Sequence, residues 1–160
     1  MADGLKYFED FLELQQGESQ TIELGSHVFT AEAMVEFARA YDPQAMHTDP
    51  AAAARSTFGG LIASGWQTAA VYMRMLVDTV LGQTESIGSP GIDNLRWLKP
   101  VRPGDTLRLK TTVIESTPSG KQPNRGTVLF RWDTYNQNGE IVLSMRGRQL
   151  FLRRAPARLA

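Results

Sequence analysis

The sequence predicts a single α+β domain over residues 1–160, a curved antiparallel sheet wrapped around one central, largely apolar helix. Three observations predict it. The chain has 160 residues, 42% apolar and 21% charged, which suits one globular domain rather than a disordered chain. Residues 66–81 place Trp66, Ala69, Ala70, Val71, Tyr72, Met73, Met75, Leu76, Val77, Val80 and Leu81 around nearly a whole helical circumference. Only Gln67, Arg74 and Asp78 form a polar stripe, and a helix apolar on most sides is expected to be buried. Beyond Gly82 the periodicity changes from helical to alternating, the pattern of strands that wrap such a helix.

The elements follow in order. Residues 19–29 carry β-branched and apolar residues broken by Gly25, a short early strand. Thr30 reads as an N-cap with Glu32 in the first turn, and Met34, Phe37, Ala38 and Tyr41 form one core-facing stripe behind it. Asp42-Pro43 ends that helix, because proline drives its predecessor away from helical angles. Asp49-Pro50 reads as a second N-cap, with proline at the first helical position and alanines after it. Gly59-Gly60 breaks the chain, and Gly82 is the expected C-cap of the apolar helix. Strands are expected over residues 106–115, with Leu107, Leu109, Thr111 and Val113 on one face, and over residues 127–135, with Val128, Phe130 and Trp132 opposite Arg131 and Asp133. Asn138-Gly139 is a hairpin signal leading into a strand over residues 141–152.

Composition narrows the function. Seventeen basic residues balance seventeen acidic ones, so the basic excess of a nucleic-acid binder is missing. No apolar run reaches the roughly 20 residues of a membrane helix, and the acidic, aromatic opening does not read as a signal peptide. A cytoplasmic protein is expected. Without cysteine there is neither a thiolate nucleophile nor a sulfur-ligated metal. The two histidines, His27 and His47, have no metal-ligand partner at useful spacing, and no phosphate-binding glycine loop or nucleophile elbow occurs. Glu32 and Glu36 lie one turn apart on a polar helix face, the ordinary setting of solvated charges. The segment from Asp42 to His47, in an irregular turn between helices, differs. A carboxylate and an imidazole converging on one water can share its protons. Spacing alone leaves the alternative open, in which Asp42 terminates a helix and His47 is a surface loop residue.

Asp42 to His47, then Asp49-Pro50, then Phe58-Gly59-Gly60-Leu61-Ile62-Ala63-Ser64-Gly65 resemble the MaoC-like hydratase pattern of the hot-dog-fold (R)-specific enoyl-CoA hydratases. Leu95-Arg96-Trp97-Leu98-Lys99-Pro100-Val101-Arg102-Pro103-Gly104-Asp105-Thr106-Leu107 resembles that family's strand-turn-strand segment. The resemblance implies a hot-dog fold and reversible hydration of a trans-2-enoyl-CoA to a 3-hydroxyacyl-CoA, with Asp42 and His47 as catalytic pair. It implies that the backbone N–H of Gly65 donates to the thioester oxygen, as a helix N-terminus suits a developing enolate. Ser64, Trp66 and Phe58 are expected to touch substrate. No metal or dissociable cofactor is implied, coenzyme A being part of the substrate, and a homodimer or dimer of dimers is expected.

The chain departs from the family pattern at Tyr41, usually glycine; at Gln44 and Ala45, usually asparagine and proline; at Ser64, often histidine; and at Met73, often serine. These departures bear on how the acid is held and which acyl group fits. Arg146, Arg148, Arg153, Arg154, Arg158, Lys121 and Arg125 are the basic residues available for coenzyme A phosphates or simply for solvent. Trp66, Trp97 and Trp132 suit an acyl tunnel or a core, and His27 a structural or exposed position. A hot-dog acyl-CoA thioesterase and a non-catalytic acyl-thioester binding subunit are the alternative functions.

Overall fold

The computed structural model describes residues 4–154; Arg158 and the first residues of the chain, read above for charge and targeting, lie outside the described residues. Strands β1 (Thr21–Val28), β2 (Ser86–Trp97), β3 (Thr106–Pro118), β4 (Arg125–Tyr135) and β5 (Ile141–Leu152) form one sheet in the order β1-β3-β4-β5-β2. Every neighbouring pair is antiparallel. Helices α1 (Phe8–Gln16), α2 (Ala31–Tyr41), α3 (Ala45–Thr48), α4 (Pro50–Arg55) and α5 (Gly65–Thr79) complete the α+β fold.

Alternation puts Leu107, Leu109 and Val113 of β3 and Val128, Phe130 and Trp132 of β4 into the core, where Tyr72 and Leu76 of α5 join them. Each such side chain removed from water stabilises the fold by about 1.5–3 kcal/mol. Phe8 and Phe11 of α1 extend this core, Phe11 packing on Phe130 and Phe151. The expected caps are present: Thr30 accepts from Ala33 N–H, and Asp49 accepts from Ala51 and Ala52 N–H.

Five expectations are corrected. The central helix is not enclosed: Trp66, Met73 and Val77 are 57%, 37% and 39% exposed, because the sheet covers only one side of α5. Gln67 is buried against α2, donating to the Ala33 carbonyl, while Arg74 and Asp78 do form an exposed ion pair. Tyr41 is exposed, because its stripe turns away from the core in the last turn of α2. Val80, not Gly82, caps α5; Gly82 lies in the 3-10 turn Leu81–Gln83, where a Cβ would come within 2.8 Å of the Val77 carbonyl oxygen. Asp133, placed on the outer side of β4, is buried there by Arg131 and Ser144.

Two elements have no clear periodic signal in the sequence. β2 contains Gly88, Pro90 and Gly91 and shifts register three times against β5, so its side chains never alternate cleanly. In α1, Phe8, Phe11 and Leu12 keep helical spacing, but over only nine positions, too short a run for a clear signal.

Candidate active site

Asp42 stands where α2 stops. Its N–H still bonds to the Ala38 carbonyl at 2.8 Å, but Pro43 prevents a further turn. The chain reverses through Gln44 N–H to Asp42 carbonyl, 2.8 Å, and α3 carries His47 back toward the acid. The second acid of the segment, Asp49, is committed to capping α4.

His47 is buried, and its Nδ1 lies 2.9 Å from the Ile62 carbonyl oxygen. A carbonyl only accepts, so Nδ1 carries a proton and donates it, which leaves Nε2 to face the acid. Nε2 is 3.4 Å from Asp42 Oδ2. That separation is long for a direct hydrogen bond but lets both atoms contact one water.

Residues 61–64 pass beneath the pair, fixed by Ile62 N–H to the Met46 carbonyl and Ala63 N–H to the Val101 carbonyl. At their end the Ser64 hydroxyl donates to Asp42 Oδ2 at 2.7 Å, while Gln44 Nε2 donates to Oδ1 at 2.7 Å. Gln44 and Ser64, helped by the charge of His47 and opposed by partial burial, hold the Asp42 carboxyl below the usual carboxylate range. Two positions at which the chain departs from the hydratase pattern, Gln44 and Ser64, therefore supply the donors that hold the acid.

The pair opens into a cleft of about 480 Å³ whose lining includes Gly65, Thr68, Trp97 and Lys99. Gly65 begins α5, and among the described residues nothing accepts from its N–H. A Cβ on Gly65 would lie 2.4 Å from the Trp97 indole, so only glycine lets this tryptophan approach the helix start. Lys99 is the one lysine or arginine in the lining and pairs with Glu140 at the rim.

Of the residues expected to touch substrate, Phe58 and Trp66 line the cleft. Ser64 does not: it is fully buried, and its hydroxyl is occupied by Asp42. Trp97 packs edge-on to Trp66 in the cleft, whereas Trp132 is a core residue. Arg148, Arg153 and Arg154 pair with Asp93, Glu9 and Asp10, and neither they nor Arg146, Lys121 and Arg125 line the cleft. Glu32 and Glu36 face a separate open groove between α2 and α4. His27 sits on β1 against Phe29. Among the described residues no three His, Cys, Asp or Glu side chains gather as metal ligands, and no helix is long and apolar enough to cross a membrane. Thr68 and Lys99 were not singled out from the sequence; Thr68 follows Gly65 by one helical turn, the spacing that marks it.

Residues 14–132 match the MaoC like domain family, and the chain belongs to that family of MaoC-like dehydratases. The fold is the hot-dog fold. The MaoC-like dehydratase from Rhodospirillum rubrum is 39% identical, superposes with a TM-score of 0.83, and is matched over 94% of this chain and 99% of its own. The R-hydratase PhaJ1 from Pseudomonas aeruginosa is 25% identical with a TM-score of 0.71, over 90% of this chain and 86% of its own. Mesaconyl-CoA hydratase from Cereibacter sphaeroides is 39% identical over 88 residues, 51% of this chain but only 25% of that longer protein.

Proposed function

We propose that this protein is a hydro-lyase that reversibly hydrates a trans-2-enoyl-CoA to a 3-hydroxyacyl-CoA. The observation that carries the reading is the convergence of Asp42 Oδ2 and His47 Nε2, 3.4 Å apart in a largely apolar cleft, beside the unengaged Gly65 N–H. A water touching both atoms loses one proton to a member of the pair as its oxygen bonds to the β-carbon of the enoyl group. The electrons of the double bond move toward the thioester, and the Gly65 N–H donates to the thioester oxygen as negative charge grows on it. The other member of the pair delivers a proton to the α-carbon, so one water is added and no cofactor is consumed. Phe58, Trp66 and Trp97 form the walls against which the acyl chain lies, and Lys99 is the cation nearest the cleft for an anionic part of the substrate.

The R-hydratase and CoA-hydratase names among similar proteins support the chemistry. A homodimer is part of the proposal, supported by the exposed apolar side of α5 and by β2, an edge strand that exposes Ile87, Ile92 and Trp97. A cytoplasmic place and a role in fatty-acid metabolism complete it. The test follows the loss of enoyl-thioester ultraviolet absorbance with short and medium trans-2-enoyl-CoA substrates, beside Asp42→Asn. Loss with wild type alone supports the reading. Thiol release from saturated acyl-CoA would replace it with a thioesterase, and saturable binding without turnover with a binding subunit.

A further inference from the structure

We infer that Ser64 is a positioning residue that ties the acid to the N-terminus of α5, so that Asp42 and the Gly65 N–H keep one fixed relation. The inference rests on the hydratase reading for its kinetic consequence but on the hydrogen bonds for its structural one. Ser64 has two duties. Its hydroxyl proton goes to Asp42 Oδ2 at 2.7 Å, the oxygen facing His47, and the same oxygen atom of the serine accepts from Trp66 N–H at 3.3 Å to cap the helix. It is fully buried, so no water competes for either bond. Gln44 holds the opposite carboxylate oxygen but is exposed and belongs to the same turn as the acid. Of the two donors to the acid, only Ser64 joins it to the helix that presents Gly65.

This arrangement divides the work between the pair. A carboxylate accepting from two donors holds a proton poorly. Nδ1 is already donating to Ile62, so the proton that the pair exchanges is carried by His47 on Nε2. In the hydration direction Asp42 is thereby the base that takes the water proton, and His47 Nε2–H the acid that protonates the α-carbon. Transfer back across the 3.4 Å gap restores the starting state. His47 from α3 is the ionisable group facing Asp42; Lys99 lines the same cleft but is held by Glu140.

The test compares Ser64→Gly with Ser64→Ala. Glycine is a tolerable N-cap and alanine a poor one, so both lose the bond to Asp42 but only alanine should weaken the helix start appreciably. Both are expected to lose about ten- to a hundredfold in kcat with KM little changed. The acidic limb of the kcat/KM profile should rise by about one pH unit as one donor is removed. Carbon-13 NMR of the Asp42 carboxyl, independent of any substrate, should show the same upward movement. A Ser64→Gly protein that melts like wild type and keeps its carboxyl titration midpoint overturns the inference. A wild type with no hydratase activity overturns the functional reading instead, and the carboxyl titration still decides the role of Ser64.

Discussion

The two sides of α5 have similar composition and opposite fates. Thr68, Tyr72 and Leu76 on the inner side are 3%, 0% and 1% exposed, while Trp66, Met73 and Val77 on the outer side are 57%, 37% and 39% exposed. The inner side meets the sheet, and Tyr72 donates to the Lys110 carbonyl of β3 at 2.5 Å. Deep burial pushes the Tyr72 phenol far above its ordinary range, so it stays a neutral donor. Among the described residues the outer side is left largely open, with Trp66 touching Trp97 at its start. The helix is thus apolar for two different reasons, one satisfied by folding and the other by whatever covers the outer side, which the proposed homodimer would do.

The largest expected effects lie at the N-terminal end of the helix, where chemistry rather than packing decides. Asp42→Asn and His47→Gln should each lower kcat by about a hundred- to ten-thousandfold with the melting temperature nearly unchanged; substantial residual turnover would remove the pair from the mechanism. Gly65→Ala should also lower kcat, because its Cβ would displace the Trp97 indole now 2.4 Å from that position. Overpacking of this kind costs about 1–3 kcal/mol of stability, readable by urea unfolding.

A second pair of substitutions sharpens the contrast between the two sides. Leu76→Ala removes a side chain enclosed by the core and should cost about 2–5 kcal/mol by chemical denaturation. Val77→Ala, its outward neighbour, should cost about 0.5 kcal/mol or less at low protein concentration, as exposed positions do. Equal costs at both positions in dilute monomer would break the comparison. Val77→Glu tests what covers the outer side: sedimentation should change from a dimer for wild type to a monomer for the variant, with folding retained. A variant that remains dimeric would place the contact elsewhere.

The smallest expected effect is the pH dependence contributed by Asp42. Its carboxyl is held below its unfolded value by Gln44, Ser64 and His47. The stability it adds is therefore complete above the unfolded value, about pH 4, and is lost as pH falls through the lower folded value. Acid unfolding of Asp42→Asn should lack this contribution below about pH 4 and match wild type in slope from pH 5 to 7.

Much of this is legible in the sequence. Thr30, Asp49 and the Asp42-Pro43 stop are local signals, and each was found in place because capping and proline geometry involve only a few neighbouring residues. The alternating strands β3, β4 and β5 were legible for the same reason. β2 was not, since its bulges against β5 are set by pairing with residues far along the chain. The spacing of Asp42 and His47 by itself favoured an exposed loop; burial of the imidazole and its bond to the Ile62 carbonyl remove His47 from the surface and are what the proposed pair rests on.

By itself, then, the sequence determined the periodicities, the helix boundaries near the site and the residue types that could share a proton, all of them consequences of short-range sterics and hydrogen bonding. The tertiary structure alone decided which side of α5 is covered, because one sheet can lie on only one side of a helix. It also decided that Ser64 holds Asp42 across a separation of 22 positions rather than facing substrate. That assignment depends on how residues 61–64 thread between α3 and the segment preceding β3, a matter of long-range packing that no local pattern encodes.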